Sequence, residues 1–209
     1  MDGSTMRMWC PSGIVDLKHI DEDILTLDNF ANLSHVTRAW SVTGSKGVSV
    51  TDHVYITSLI CAKLFSHVKE GWGTARIHKA IVACLFHDCE EAIIGDFPSP
   101  MKTDELKNIG NGLRHYMLWW LGLDVENDES IHWVVKFCDI CSLIYEINNS
   151  GYEHVDMPAL VNDLVKPTLK LLHEFDIPFM ALEHTMKWVG IDDGAVSELL
   201  ATRGYTHGP

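Results

Sequence analysis

The run SIHWVVKFCDICSLIYEINN (residues 130–149) is apolar on nearly every side of a helical wheel. A helix with so little polar face must be central, and other elements have to wrap it. The elements available are helical too. In TDHVYITSLICAKLFSHV (51–68) the apolar residues recur at i, i+3, i+4 and i+7, with Thr51 or Asp52 as N-cap. A second helix is expected through TARIHKAIVACLFHDCEEAIIG (74–95), stopping at Gly95 because Pro98 and Pro100 forbid continuation. A third covers about Asp104 to Leu121. The stretch MPALVNDLVKPTLKLLHEF (157–175) reads as helix interrupted at Pro167, and VSELLATRG as a short terminal helix. SVTGSKGVSV (41–50), with two glycines, reads as a loop or β-like turn. Strand signals are scarce, and no repeat or Pro/Ser-rich linker divides the chain. The expectation is one all-α domain over 29–209, with residues 1–28 as an N-terminal extension packed on it.

Charge narrows the partners. A formal net charge of -13 argues against binding nucleic-acid polymers, whose backbones are held by clustered Lys and Arg. A small phosphorylated ligand remains compatible if a local cation or metal inverts the field. The six cysteines show no disulfide spacing pattern, and Cys138 and Cys141 read as a buried helical i,i+3 pair. With no signal peptide and no run long enough to span a membrane, the expected setting is the cytoplasm.

Against this apolar background, certain polar residues stand out. His53 lies near the start of its helix. His87 and Asp88 are followed one turn later by Glu91, and Asp139 sits on the most apolar helix with Lys136 one turn before it. Carboxylates avoid the interior unless something neutralises them. Two imidazoles and two carboxylates make a mixed nitrogen and oxygen set, suited to zinc, manganese, iron, cobalt or nickel and too rich in nitrogen for calcium. Taken singly, each residue has a bland reading as a hydrogen-bonded core residue or a cap. The combination is what asks for a cation.

The pattern His53 … His87-Asp88 … Asp139 resembles the H…HD…D signature of HD-domain metal-dependent phosphohydrolases. HDCEEAIIGDFPSPMK (87–102) resembles the HDxxExxxGDxPxPxK segment of bacterial 5'-deoxynucleotidases and of their viral relatives that remove triphosphate from deoxynucleoside triphosphates, notably dATP. Arg38, fifteen residues before His53, and the Lys-x-x-Asp spacing of Lys136 and Asp139 are further shared features. The resemblance, covering about residues 29–150, implies a single HD-domain helical bundle. It implies that His53, His87, Asp88 and Asp139 bind a divalent ion (Co, Mn, Zn, Mg or Ni). Glu91 would position or deprotonate the attacking water, with Asp96 a second carboxylate nearby. Arg38 would contact the 5'-phosphate region, and Lys102 and Lys136 would face phosphate. Lys46 and Arg114 are further candidates for a longer phosphate chain. One departure concerns the base: the bacterial enzymes place tryptophan directly after the arginine, whereas this chain reads Arg38-Ala39-Trp40, so Trp40 is the expected wall against base or sugar.

The activity implied is hydrolysis at the 5'-phosphate of a deoxynucleotide, releasing phosphate from a monophosphate or triphosphate from a triphosphate. The competing readings are a phosphodiesterase for cyclic or oligonucleotides, which a second His-rich metal set would favour, and a non-catalytic nucleotide-sensing domain. The resemblance also implies a homo-oligomer, for which HYMLWWLGL (115–123) offers an apolar contact patch or simply more core.

Overall fold

The computed structural model describes residues 7–10, 13–16, 26–38, 47–68, 70–97, 101–123, 128–150 and 157–201. Trp40, Lys46, Pro98 and Pro100 lie outside them. The architecture is all-α apart from a short hairpin. Two compact units are interleaved along the chain: Met1–His53 with Phe86–Asp124, and Val54–Leu85 with Val125–Pro209.

The first unit begins with the antiparallel strands β1 (Arg7–Cys10) and β2 (Gly13–Asp16), which pair Arg7 with Asp16 and Cys10 with Gly13. The sequence reading assigned no strand here. Helix α1 (Leu27–Ala31) is capped by Thr26, whose hydroxyl accepts from the Asn29 amide at 3.2 Å. After a 3-10 turn (Asn32–Ser34), Thr37 and Ser49 form an isolated antiparallel bridge, and the Arg38 amide donates to the Val48 carbonyl at 2.9 Å. That bridge holds Arg38 near the start of α2 (Val50–Phe65). The cap of α2 is Ser49 rather than Thr51 or Asp52. Its hydroxyl accepts from the Asp52 amide at 3.1 Å while the Asp52 carboxylate accepts from the Ser49 amide at 3.2 Å, a reciprocal capping box.

The same unit contains α4 (Glu91–Ile94) and α5 (Asp104–Trp120), the latter capped by Thr103. Cys89, Ile93, Ile94, Leu113 and Met117 form its buried core, with Phe30, Phe86 and Tyr116 packed against it. Gly110 lets α5 approach closely, because a Cβ there would stand 3.2 Å from the Ile94 side chain. Strand β1 runs beside α4. Beyond Met117 and Leu118, which are buried, Trp119 and Trp120 are exposed, so HYMLWWLGL is partly core and partly surface.

The second unit carries the rest of α2, then α3 (Thr74–Phe86), α6 (Glu129–Ser150), α7 (Met157–Leu160), a π-helical turn (Val161–Val165), α8 (Lys166–Glu174), α9 (Phe179–Trp188) and α10 (Asp193–Ala201). As the apolar run predicts, α6 is the buried one: Ile131, Val134, Phe137, Cys138, Ile140, Cys141, Ile144 and Ile147 are all inside. Asp128 anchors its start, accepting from the Ser130 amide at 3.1 Å and from Arg76 through both oxygens at 3.0 Å. Arg76 also lies over the Trp72 ring, 4.4 Å from its centroid. Pro167 falls in the first turn of α8, where its missing N–H costs least, and the π turn precedes it. Helix α9 was left unassigned from sequence; its buried Ala181, Leu182, Thr185 and Met186 nonetheless keep helical spacing. Among the described residues no helix is long and apolar enough to cross a membrane.

Candidate metal centre

The second predicted helix does not run unbroken to Gly95. It ends at Phe86, residues 87–90 form a turn, and α4 restarts at Glu91. In a continuous helix the His87 carbonyl would accept from the Glu91 amide. Here that amide bonds to Asp88 O at 3.1 Å instead, and the His87 carbonyl accepts from Arg114 Nη1 at 3.2 Å. Arg114 also holds Glu90 at 3.1 Å and Asn111 at 2.9 Å. The arginine considered for a phosphate chain is thus engaged with the turn, and Glu90 is its buried partner.

The turn brings His87 and Asp88 to His53, which projects fully buried from the first turn of α2. His53 Nε2 and His87 Nε2 are 3.3 Å apart, with Asp88 Oδ2 at 3.2 Å from His87 and 3.8 Å from His53. Three donor atoms thus converge on one point. Ligands bonded tetrahedrally at about 2.0–2.2 Å stand about 3.3–3.6 Å apart, so the observed edges fit a small divalent ion. Two further observations agree. Glu91 is buried, and its Oε2 has no hydrogen-bond partner; the same holds for Glu90 Oε2. Burial, then the charges of Asp88 and Asp96, push the Glu91 carboxyl up to about 9, against the opposing pull of Arg38 and Lys102. Burial likewise pushes Glu90 to about 7, with Arg114 opposing. Even with Arg38, Lys102 and Arg114 beside it, this much buried acid calls for further positive charge, which an ion among His53, His87 and Asp88 would supply.

The neighbouring predicted residues gather around the same point. Arg38 Nη1 lies 3.2 Å from Asp88 Oδ2 and 3.6 Å from Asp96 Oδ2, and Lys102 Nζ lies 3.5 Å from Glu91 Oε1. Asp139 and Lys136 belong to the second unit, on α6, where they pair at 3.2 Å. Trp40 is outside the described residues. The pairing of Arg114 with Glu90 is what sequence reasoning missed. Their spacing of 24 residues across two elements carries no periodic signal.

Residues 30–111 match the HD domain family model. Among curated proteins the chain is similar to the dATP triphosphohydrolase of Cyanophage S-2L, 26% identical over 145 residues, 65% of this chain and 78% of that protein. Among solved structures it shares its fold with the Cyanophage S-2L HD phosphohydrolase DatZ, bound to dA and one catalytic zinc ion. That match has a TM-score of 0.53 and 18% identity, covering 85% of this chain and 93% of the other. A genomics crystal structure matches with a TM-score of 0.50 and 17% identity, over 90% of this chain and 98% of that one.

Proposed function

We propose that this chain is a divalent-metal-dependent phosphohydrolase that cleaves the 5'-phosphoester of deoxyribonucleotides, with dATP, giving deoxyadenosine and triphosphate, as its leading substrate. The observation that carries this reading is the triangle of His53, His87 and Asp88 donors. The similarity to a phage dATP triphosphohydrolase favours the triphosphate over the monophosphate. Asp139 is proposed as the fourth protein ligand. When bound, such an ion polarises a phosphoryl oxygen and lowers the pKa of water toward neutrality.

The residues of the chain supply the rest. Glu91 offers its unpartnered Oε2 to orient the attacking water and take its proton, and Asp96 stands behind it as the second carboxylate. Arg38, preset by its bridge to Val48 and by Asp88, turns its guanidinium toward the 5'-phosphate. Lys102 and Lys136 neutralise charge on the phosphate chain as it leaves. From sequence, Trp40 is proposed as the wall on the base and sugar side. Homo-oligomerisation remains a proposal, with exposed Trp119 and Trp120 as the first residues to test by sedimentation.

The test is a panel of deoxy- and ribonucleoside mono-, di- and triphosphates incubated with several divalent ions and resolved by chromatography. The expected result is deoxynucleoside plus triphosphate from dATP. Release of inorganic phosphate from deoxynucleoside monophosphates alone would move the reading to a 5'-nucleotidase, and no hydrolysis with any ion would remove it.

A further inference from the structure

In the second unit, α2, α3 and α6 each send one cysteine to a common point. The Sγ atoms of Cys61, Cys84 and Cys138 all lie within 4.8 Å of one another, and all three residues are fully buried. Burial alone does not produce this arrangement. Cys141, one turn along α6, is equally buried yet stands outside the cluster. A cysteine that serves only as a small apolar residue packs wherever volume is needed, with no reason for its sulfur to meet two others from different helices.

We propose that Cys61, Cys84 and Cys138 form a second cation site, for a soft, thiophilic metal ion held by three thiolates. Metal–sulfur bonds of about 2.3 Å place the sulfurs of such a site about 3.8–4.0 Å apart, a spacing this cluster accommodates. Its donor set is all sulfur, whereas His53, His87 and Asp88 offer nitrogen and oxygen, so the two sites differ in preference: zinc suits both, cadmium and copper(I) favour the sulfurs, and harder divalent ions such as manganese favour the His and Asp set. Binding exchanges three S–H bonds for three metal–sulfur bonds. The thiol protons and the ion's waters pass to solvent, and no electrons are transferred. By joining α2, α3 and α6, the bound ion would stabilise this unit against unfolding independently of any turnover.

The reduced, metal-stripped full chain is titrated with Co²⁺ under anaerobic conditions. Thiolate ligation gives an intense near-ultraviolet sulfur-to-cobalt charge-transfer band that a His and Asp site lacks. The expected result is that this band appears in the wild type, in Cys141→Ala and in His87→Ala, and is lost in Cys84→Ala. Thermal unfolding followed by circular dichroism should shift upward with the ion in His87→Ala, where the His and Asp site is removed, and not when His87→Ala is combined with Cys84→Ala. Should the cysteine variants fail to fold, X-ray absorption of the Cd²⁺-loaded wild type decides: about three sulfur neighbours support the site. A natively folded wild type without the band, or a cadmium shell without sulfur, would overturn it.

Discussion

In the first unit Glu90 and Glu91 are buried beside Arg114 and Lys102; in the second, Cys61, Cys84 and Cys138 are buried beside one another. The backbone differs accordingly. The thiols sit on regular helices, because a cysteine is small, weakly polar and content with a sulfur neighbour. The carboxylates sit on or beside a broken helix. On an unbroken one, His87 and Glu91 would share a face while Asp88 and Glu90 pointed to opposite sides of it, and the His87 carbonyl would be lost to the helical ladder. Breaking the helix frees that carbonyl for Arg114 and aims His87 and Asp88 at His53. Charge therefore dictates backbone geometry in one region, whereas packing dictates it in the other.

The largest effect should come from striking the charged region at its centre. His87→Ala removes one of three converging donors and should abolish metal binding at that site, lowering the metal content by one ion, and lower hydrolysis by more than about 100-fold. Elemental analysis showing unchanged metal would break the comparison at its root. Next, Glu91→Gln keeps volume and burial but removes the proton acceptor. Turnover should fall by about 100-fold or more while metal content is unchanged. Turnover within a few-fold of wild type would transfer the role to Asp96.

Arg114→Ala is predicted to act through the turn. It leaves buried Glu90 without its cation and the His87 carbonyl without its donor, costing about 1–3 kcal/mol in chemical unfolding. It should also weaken metal affinity, whereas a residue that merely contacted phosphate would leave the metal untouched. Asp128 is the contrasting case in the second unit, a charge at a helix start with its surface partly open to water. Arg76, then the Ser130 hydroxyl and the Ile131 amide, hold its carboxyl well below the usual carboxylate range, with burial opposing. A carboxyl depressed in the folded state stabilises above its unfolded pKa of about 3.9 and loses that contribution as pH falls toward the folded value. Because Arg76 and Asp128 are about a third exposed, screening limits the ion pair, and Asp128→Ala should cost about 1–2 kcal/mol at pH 7, mostly through the cap. Denaturant unfolding at pH 7 and pH 3 should show the difference from wild type shrinking at the lower pH; an equal difference at both would remove the electrostatic reading.

Much of this was legible in one dimension. The helix of residues 129–150 announced itself because an all-round apolar run can only be core, and its observed bounds are within a residue of those read from the wheel. Helix α5 was bounded by Thr103 and by the loss of periodicity after Trp120. The site residues were visible because His and Asp are costly in apolar company, so their presence had to mean something. Helix α9 and the β1–β2 hairpin escaped because their stability comes from neighbours more than from local signal.

The sequence by itself determined most of the helical segments and which polar residues stand out against their apolar faces, since periodicity and burial cost are local quantities. Only the tertiary structure decided that the helix breaks at His87, that Arg114 rather than Glu91 takes the His87 carbonyl, and that Cys61, Cys84 and Cys138 meet. Those outcomes depend on partners 23 to 77 residues apart along the chain, where competition between a helical hydrogen bond and a distant guanidinium, or the convergence of three helices, leaves no periodic trace.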